Sequence, residues 1–283
     1  MAIFRPSPQQ QPIRQAGPVR LAGVEVTRGG RAVFSGLSLT LAERRIGLVG
    51  DNGSGKSTLL RLINGLILPD AGSVTVGDLD SRRDRRRLPA QVGFVFQNVD
   101  HQIIFPTVRE EVAFGPIAQG VPKAEANAAA ERLLARHGCA GWGERAVADL
   151  SEGQKQLVCI LAALAAGPRV LLLDEPFSAL DLSARLAFAA RLAALDLQVV
   201  MASHDLHLFD GFDRVLWLKG GVVAADGTPG EVIPLYEADA KARAAAAVEE
   251  ARRLGAAAQD QTPPGAAAAD TGRRRIAAGE PGA

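Results

Sequence analysis

The chain has 283 residues, of which 47% are hydrophobic and 22% are charged, and its formal net charge is +1. This composition is ordinary for a globular protein with a hydrophobic core, and the small net charge argues against a general nucleic-acid-binding protein. The two cysteines, Cys139 and Cys159, are too few for a disulfide framework, which favours a reducing compartment.

Both ends of the chain differ in composition from its middle. Residues 1–18 are rich in Gln and Pro, and we expect a disordered extension there. Residues 19–236 have the mixed pattern of one α/β domain. Residues 237–283 begin with an Ala-rich run that predicts a helix to about Ala258 and end in a Pro- and Gly-containing tail that we expect to be disordered. No segment approaches the roughly 18–20 uninterrupted apolar residues of a membrane helix, so we expect no membrane crossing by this chain.

The strand pattern of the middle predicts two kinds of sheet. VRLAGVEVTR and AVFSGLSLTL alternate, which favours an antiparallel opening sheet. RIGLVG, VGFVFQ, RVLLLD and LQVVMAS are short apolar runs typical of buried strands, most of them followed by helical patterns. Residues 98–149 are predicted to form a helical insertion, with AEANAAAERLLARHG as its clearest helix. RVLWLKGGVVAADG predicts a hairpin that turns at Gly220 and Gly221.

A phosphate-binding motif follows the strand IGLV and opens the helical run STLLRLINGL. GDNGSGKS matches G-x-x-x-x-G-K-[ST], in which backbone N–H groups and a helix N-terminus face phosphate oxygens. In this motif the lysine reaches the β- and γ-phosphates and the final hydroxyl binds Mg²⁺. The candidate nucleotide-binding residues are Gly50, Asp51, Asn52, Gly53, Ser54, Gly55, Lys56, Ser57 and Thr58.

Two adjacent carboxylates end the apolar strand VLLLDE. Buried carboxylates are costly unless they meet a cation, so Asp174 is predicted to hold Mg²⁺, through water, beside the phosphate-binding loop. Glu175 is expected to point to the other side, because strand side chains alternate, and to polarise the attacking water. The alternative is a helix cap at the strand end.

LSEGQ, residues 150–154, precedes the helical run LVCILAALAA. Ser151 and Gln154 have the spacing of a capping box, in which each side chain bonds the backbone of the other residue. A capping box does not explain Gly153, because glycine inside a helix costs about 0.5–1 kcal/mol relative to alanine. We therefore expect another group to approach the backbone there.

Together these residues resemble the nucleotide-binding subunits of ATP-binding-cassette (ABC) proteins over nearly all of residues 19–236. The family's motifs occur in the family's order: the phosphate-binding loop, Gln97 after a strand, LSEGQ, the carboxylate strand, SALD from Ser178 to Asp181, and His204 in MASHD. The resemblance implies a P-loop NTPase-type core sheet with an antiparallel β subdomain and a helical insertion. It also implies ATP and Mg²⁺ as cofactors and ATP hydrolysis as the activity.

The resemblance further implies a head-to-tail dimer with a second copy or a related ATPase. In such a dimer each LSEGQ-type loop covers the nucleotide held by the other copy, and the residues implied in this contact are Ser151, Glu152, Gly153, Gln154 and Asp181. Gln97 would join Ser57 and Asp174 at the metal and sense the membrane partner, and His204 would contact the γ-phosphate. Without the resemblance, His204 is an ordinary polar residue at a strand end.

One position departs from the family pattern. Where many relatives stack the adenine on an aromatic residue ahead of the phosphate-binding loop, this sequence has Arg28. A guanidinium can stack on a ring as well, so Arg28 is a candidate adenine contact.

The type of ABC protein is indicated by what is present and absent in the sequence. The sequence lacks the coiled-coil or zinc insertions of DNA-repair ATPases and the second cassette of translation factors. It also lacks the membrane helices of fused exporters. These absences favour a separate transporter ATPase that binds no nucleic acid. VGFVFQNVDHQIIFPTVREEVAFG resembles the ATPases of energy-coupling-factor (ECF) transporters. RIGLVGDNGSGKS and GFDRVLWLKGGVVAADGTPGEVIP resemble the biotin branch, with the cobalt branch as the alternative. The resemblance implies a transmembrane coupling subunit and a substrate-binding membrane subunit as partners, at the cytoplasmic face of the inner membrane.

Overall fold

A computed structural model describes residues 17–177 and 180–260 of the chain. The strands, in chain order, are β1 (Val19–Arg28), β2 (Arg31–Leu41), β3 (Arg45–Val49), β4 (Ala71–Val76), β5 (Leu79–Asp80), β6 (Val92–Val95), β7 (Val170–Asp174), β8 (Gln198–Ala202), β9 (Arg214–Lys219) and β10 (Val222–Gly227). The helices are α1 (Lys56–Ile63), α2 (Val108–Ala118), α3 (Lys123–Arg136), α4 (Glu152–Ala165), α5 (Leu182–Ala193) and α6 (Pro229–Asp260). Of residues 1–18, for which disorder is predicted, residues 1–16 lie outside the described residues, and so do the predicted disordered tail beyond residue 262 and Ser178 of SALD. Pro18 is described, and its carbonyl oxygen accepts from the Gly77 N–H at 3.3 Å.

The first sheet is antiparallel and has the strand order β2-β1-β4-β5. Strands β1 and β2 pair from Val19 with Leu41 to Arg28 with Arg31 across a tight turn. Buried and exposed positions largely alternate along β1, since only one face of the strand packs on the core. The predicted antiparallel opening of the domain is confirmed.

The second sheet has the order β10-β9-β3-β8-β7-β6. Strands β9, β3, β8, β7 and β6 run parallel, and β10 returns antiparallel to β9. Every residue of β3, β6, β7 and β8 is buried, as expected for strands covered on both faces. The four apolar runs predicted as buried strands are confirmed, and so is the hairpin that turns at Gly220 and Gly221.

Helix α1 belongs to the hydrophobic cluster that joins the two sheets. This cluster contains Phe34 of β2, Leu48 of β3 and Leu60 of α1, all at most 2% exposed. Along β7, Leu172 faces this cluster, whereas Leu173 belongs to a second cluster on the opposite face of the sheet. The phosphate-binding loop at the start of α1 is therefore held by a helix that packs in the core of the domain.

The remaining helices follow the predicted pattern with one difference. Helices α2 and α3 lie within residues 98–149, where the sequence predicts helix, although the limits of an insertion there stay a prediction. Helix α6 begins at Pro229, well before the Ala-rich run, because proline suits a first helical position and the Glu231 carboxylate accepts from the Thr228 N–H at 2.8 Å. In the part of the chain that the structure describes, no helix is both long and apolar enough to span a membrane.

The described residues divide into two compact units, with the boundary between Tyr236 and Glu237. The first unit contains both sheets and all candidate site residues. In the second unit, ion pairs one helical turn apart join Lys241 to Glu237 and Arg243 to Asp239.

Candidate nucleotide-binding and catalytic site

The phosphate-binding loop connects β3 to α1 and contains glycines in conformations that other residues avoid. Gly50 and Gly55 have φ angles of 143° and 110°, where a Cβ atom is disfavoured. A Cβ on Gly50 would lie 2.2 Å from the carbonyl oxygen of Leu218, and one on Gly55 would lie 2.8 Å from the Phe34 ring. The backbone of the loop and its packing therefore both require glycine at these positions.

The N-terminus of α1 offers donors to an anion. Gly55 stands at the N-cap and provides no side-chain cap to the first N–H groups of the helix. Ser54 Oγ is buried and has no hydrogen-bond partner among the described residues. These groups fit phosphate oxygens, because the amides and the helix dipole both favour negative charge.

Lys56 spans the loop from inside the protein. Its side chain is almost fully buried, and Nζ donates to the carbonyl oxygens of Gly50 at 2.6 Å and Asp51 at 3.1 Å. Burial lowers the pKa of Lys56, and the nearby carboxylates of Glu175 and Asp174 act in the opposite direction. The ammonium group is thus placed beside the loop backbone, where a phosphate can replace the carbonyl oxygens as its partner.

Ser57 and Asp174 meet at the carboxyl end of β7. The Ser57 hydroxyl donates to Asp174 Oδ1 at 2.9 Å, and Asp174 is only 2% exposed. Burial raises the pKa of the Asp174 carboxyl. A hydroxyl and a carboxylate beside phosphate oxygens are the hard oxygen ligands that Mg²⁺ prefers, so this pair fits the ion. Gln97 is exposed just beyond the end of β6, the strand that pairs with β7, and its place at a metal stays a prediction.

Glu175 and His204 lie together at the same edge of the sheet. His204 Nε2 lies 3.3 Å from Glu175 Oε1 and 3.1 Å from Asn52 Oδ1, and the His204 N–H donates to Glu175 Oε2 at 3.3 Å. A carboxylate, an imidazole and a side chain of the phosphate-binding loop are therefore contiguous. The fold thus brings Asn52, Glu175 and His204, which are far apart in the sequence, into one cluster.

The prediction that strand alternation orients Glu175 is wrong in its premise. Strand β7 ends at Asp174, and Glu175 has a left-handed backbone with φ of 51°. Its N–H donates to the carbonyl oxygen of Ala202 at 3.0 Å, which ties this turn to the end of β8. The direction of the Glu175 side chain is set by this turn and not by the period of the strand.

LSEGQ forms the start of α4 in the way its spacing predicts. The Gln154 N–H donates to Ser151 Oγ at 3.3 Å, and the Ser151 N–H donates to Gln154 Oε1 at 3.1 Å, so the capping box is confirmed. A Cβ on Gly153 would lie 3.0 Å from a methyl group of Leu180. Close packing inside the chain is thus one reason for this glycine, beside the approach of a ligand predicted from the sequence.

Asp181 lies beside LSEGQ in one cleft. Its carboxylate caps α5 by accepting from the Ala184 N–H at 2.8 Å. The cleft has a volume of about 480 Å³ and its lining contains residues of LSEGQ together with Leu180 and Asp181. The phosphate-binding loop does not contribute to this lining. Ser151, Glu152, Gly153, Gln154 and Asp181 are therefore gathered in one place, and their contact with a partner's nucleotide stays a prediction.

Three further candidate residues lie on β1, in the phosphate-binding loop and on α1. Arg28 is the exposed last residue of β1, and its Nη1 donates to the carbonyl oxygen of Thr27 at 3.2 Å. Gly53 is exposed in the loop with φ of 79°, and Thr58 is half-buried in the first turn of α1. Stacking of Arg28 on adenine stays a prediction.

Sequence reasoning missed Arg185 and Asp205, which lie next to this site. Arg185 Nη1 lies 2.6 Å from Asp205 Oδ2, and Asp205 directly follows His204. The string MASHD contains Asp205, but no local pattern links it to an arginine on another helix.

Comparison with known proteins agrees with this geometry. The family model described as ABC transporter matches residues 34–178. The chain belongs to the ABC transporter family. Proteins of this family bind and hydrolyse ATP, so the chain is an ATPase, as predicted, and the predicted fold class is confirmed.

Two curated relatives match nearly their whole length. The biotin transport ATP-binding protein BioM of Rhodobacter capsulatus is 50% identical over 228 residues, which are 81% of this chain and 97% of the relative. The protein of the same name from Rhizobium etli is 39% identical over 218 residues, 77% of this chain and 97% of the relative. The resemblance to the biotin branch that the sequence predicts is confirmed.

Two solved structures share the fold. The structure of cbiO1 from Clostridium perfringens, part of the ABC transporter complex cbiONQ, has a TM-score of 0.68 and 27% identity, and the match covers 79% of this chain and 93% of that one. The ATP-binding cassette MJ0796, a dimer in a post-hydrolysis state bound to ADP and Pi, has a TM-score of 0.66 and 27% identity, with 75% and 98% covered.

Proposed function

We propose that this chain is the ATP-hydrolysing subunit of an ECF-type importer for biotin. The observation that carries the proposal is the 50% identity to BioM of Rhodobacter capsulatus over 97% of that protein. The chain would act at the cytoplasmic face of the cell membrane, bound to a transmembrane coupling subunit and a substrate-binding membrane subunit. Gln97 and the helices α2 and α3 are the parts proposed to transmit the change to the coupling subunit.

Mg²⁺ would be held by Ser57, Asp174 and Gln97, of which the first two are already 2.9 Å apart. The ion supplies positive charge that neutralises the charge developing on the phosphate oxygens. Lys56 and the N–H groups at the start of α1 bind and orient the β- and γ-phosphates. The loop provides positioning and charge stabilisation, which are the main requirements of phosphoryl transfer.

Glu175 is proposed to accept a proton from the attacking water, and His204 to bind the γ-phosphate. Their distance of 3.3 Å supports this division of roles, because the imidazole and the carboxylate lie side by side near the phosphate-binding loop. A general base must lie within hydrogen-bond reach of the water it activates. Asn52, at 3.1 Å from His204, joins the loop to this pair.

The working ATPase is proposed to be a dimer with a second copy or a related ATPase. The cleft formed by Ser151, Glu152, Gly153, Gln154 and Asp181 would cover the nucleotide bound to the partner. The N-terminus of α4 points a favourable dipole into this cleft, typically worth about 0.3–1 kcal/mol per charge. The solved structure of MJ0796, which shares this fold, is a dimer bound to ADP and Pi, and it supports a dimeric ATPase. Arg28 is proposed to stack on the adenine.

The decisive experiment is uptake of trace labelled biotin by the source cell with a chromosomal Glu175→Gln variant. Biotin uptake at low external concentration is expected to collapse, whereas cobalt uptake, measured in parallel, is expected to stay unchanged. Glu25→Gln, an exposed position on β1, is the matched control. Loss of cobalt uptake with intact biotin uptake would assign the ATPase to the cobalt branch, and no change in either would refute the importer role.

A further inference from the structure

Arg185 makes contacts with two segments that flank the proposed catalytic groups. Its Nη1 lies 2.6 Å from Asp205 Oδ2, and its Nη2 donates to the carbonyl oxygen of Leu180 at 3.2 Å. The two charged side chains are only 31% and 28% exposed. Charge-assisted bonds of this length in a half-buried place are stronger than exposed ion pairs, and the planar guanidinium fixes the direction of both bonds.

Each of these two segments carries a residue of the proposed site. Leu180 directly precedes Asp181, which caps α5 through the Ala184 N–H at 2.8 Å. Asp205 directly follows His204, and its own N–H donates to Ser203 Oγ at 3.1 Å. One guanidinium thus bonds the residue before Asp181 and the residue after His204.

We infer that the Arg185–Asp205 ion pair is a positioning pair for ATP hydrolysis. The pair fixes the position of the Leu180–Asp181 segment relative to the loop that carries His204. The first segment is proposed to contact the partner's nucleotide, and His204 is proposed to contact the nucleotide bound to the same chain. The pair is proposed to act through the neighbouring residues Asp181 and His204 and not by its own contact with the nucleotide. The inference rests on the proposed roles of those two residues.

Substitutions at the pair should lower kcat and leave nucleotide affinity unchanged. For Arg185→Met and Asp205→Asn, we expect kcat of the purified ATPase to fall roughly ten- to a hundredfold, since a displacement of about 1 Å at reacting groups has effects of this size. The equilibrium Kd for ATP should stay within about twofold, because a change confined to the turnover step leaves ground-state binding intact. Arg185→Lys, which keeps the charge but not the planar fork, should recover part of the lost kcat.

The kcat of the double variant tests whether Arg185 and Asp205 act as one unit or independently. The Arg185→Met/Asp205→Asn double variant should be no slower than the slower single variant, since members of one unit are not additive. Arg44→Met is the matched control, because Arg44 forms an exposed ion pair with Asp196 at 3.3 Å, and these two residues lie before the amino ends of β3 and β8. Its kcat should equal that of the wild type.

Three outcomes would overturn the inference. The first is a kcat within twofold of the wild type in both single variants. The second is a fold-loss of kcat in the double variant that equals the product of the two single fold-losses. The third is an ATP Kd that rises in step with the loss of kcat. His204→Ala is measured beside them. If His204→Ala loses kcat and the pair variants keep it, the inference fails and the proposed site stands. If His204→Ala keeps kcat, the proposed role of His204 fails and the inference fails with it.

Discussion

Glu175 is the only non-glycine residue with a positive φ in the described part of the chain. A left-handed backbone at such a residue costs on the order of 1–3 kcal/mol and persists where surrounding structure holds it. Here the bond from the Glu175 N–H to the carbonyl oxygen of Ala202 holds it. The strained turn places the carboxylate against His204 instead of continuing the strand.

Glu175→Gln should bind ATP normally and lose most of its turnover. The amide keeps the shape of the side chain but cannot accept the proton of the attacking water, so kcat should fall by roughly 10²–10⁴. Steady-state phosphate release and the ATP Kd measure the two effects, with Glu25→Gln as the control. Hydrolysis near the wild-type rate would remove Glu175 from the role of base.

Asp174 illustrates a conflict between stability and function. Because burial raises the pKa of this carboxyl in the folded state, its ionised form is less favourable there than in the unfolded chain. The protein without nucleotide therefore carries a cost above the folded-state pKa, and this cost disappears as the pH falls through that pKa.

Asp174→Asn should raise the thermal midpoint of the nucleotide-free protein at neutral pH, because the buried charge is removed. It should also lower ATPase activity by about 10² or more, since a charged group that acts on the transition state is lost. The gain in midpoint should shrink as the pH is lowered, because the wild-type carboxyl then becomes neutral as well. Thermal unfolding between neutral and acidic pH measures this trend, with Asp196→Asn as an exposed control. A lower midpoint for Asp174→Asn at neutral pH would contradict the assignment.

At the scale of elements, the candidate site residues lie at helix termini and at strand ends. The start of α1 has no side-chain cap and lies at the candidate phosphate site, whereas the start of α4 is closed by the Ser151–Gln154 capping box. A capped helix end leaves fewer free donors, but its dipole and its exposed Ser151 hydroxyl remain available to a partner's ligand. The two helix ends therefore suit different tasks.

Ser151→Arg should abolish ATPase activity and leave ATP binding by the monomer intact. The large side chain would fill the cleft beside Asp181, while the phosphate-binding loop is not part of that cleft. Loss of the cap costs about 0.5–2 kcal/mol of stability, which denaturant unfolding separates from the effect on catalysis. Ser73→Arg, exposed on β4, is the control. Monomer binding lost together with activity would show that Ser151 serves the nucleotide site of its own chain.

At the scale of the molecule, the core that joins the two sheets also fixes the candidate nucleotide site. Helix α1 contributes Leu59, Leu60, Leu62 and Ile63 to this core, all fully buried, and the same helix begins at the phosphate-binding loop. Packing and ligand binding are coupled through this one element, because a shift of α1 moves its N-terminus.

Leu60→Ala should destabilise the protein by about 2–5 kcal/mol, as expected for a large-to-small change in a close-packed core. ATP affinity should fall as well, since the first turn of α1 loses its support. Urea unfolding and equilibrium nucleotide binding measure the two effects. Leu66→Ala, at a position 47% exposed, should change stability by less than about 0.5 kcal/mol. Equal effects of the two substitutions would contradict the role of α1 in the core.

The sequence by itself determined the features that depend on neighbouring residues. The buried strands, the phosphate-binding loop, the hairpin at Gly220 and the capping box at Ser151 are all readable from short runs, because strand periodicity, turn chemistry and capping act over a few residues. The order of the motifs was sufficient to indicate the family. The start of helix α6 is not predicted by the Ala-rich run. The helix begins earlier, at Pro229, where Glu231 caps it through the Thr228 N–H.

Only the tertiary structure decided the features that join distant residues. The turn at Glu175 depends on Ala202, the glycine at position 153 packs against Leu180, and Arg185 of α5 contacts Asp205 after β8. No local pattern specifies such contacts, because each one exists only after β7, β8 and α5 have docked. Close packing of these elements then fixes side-chain directions that strand period alone predicts incorrectly.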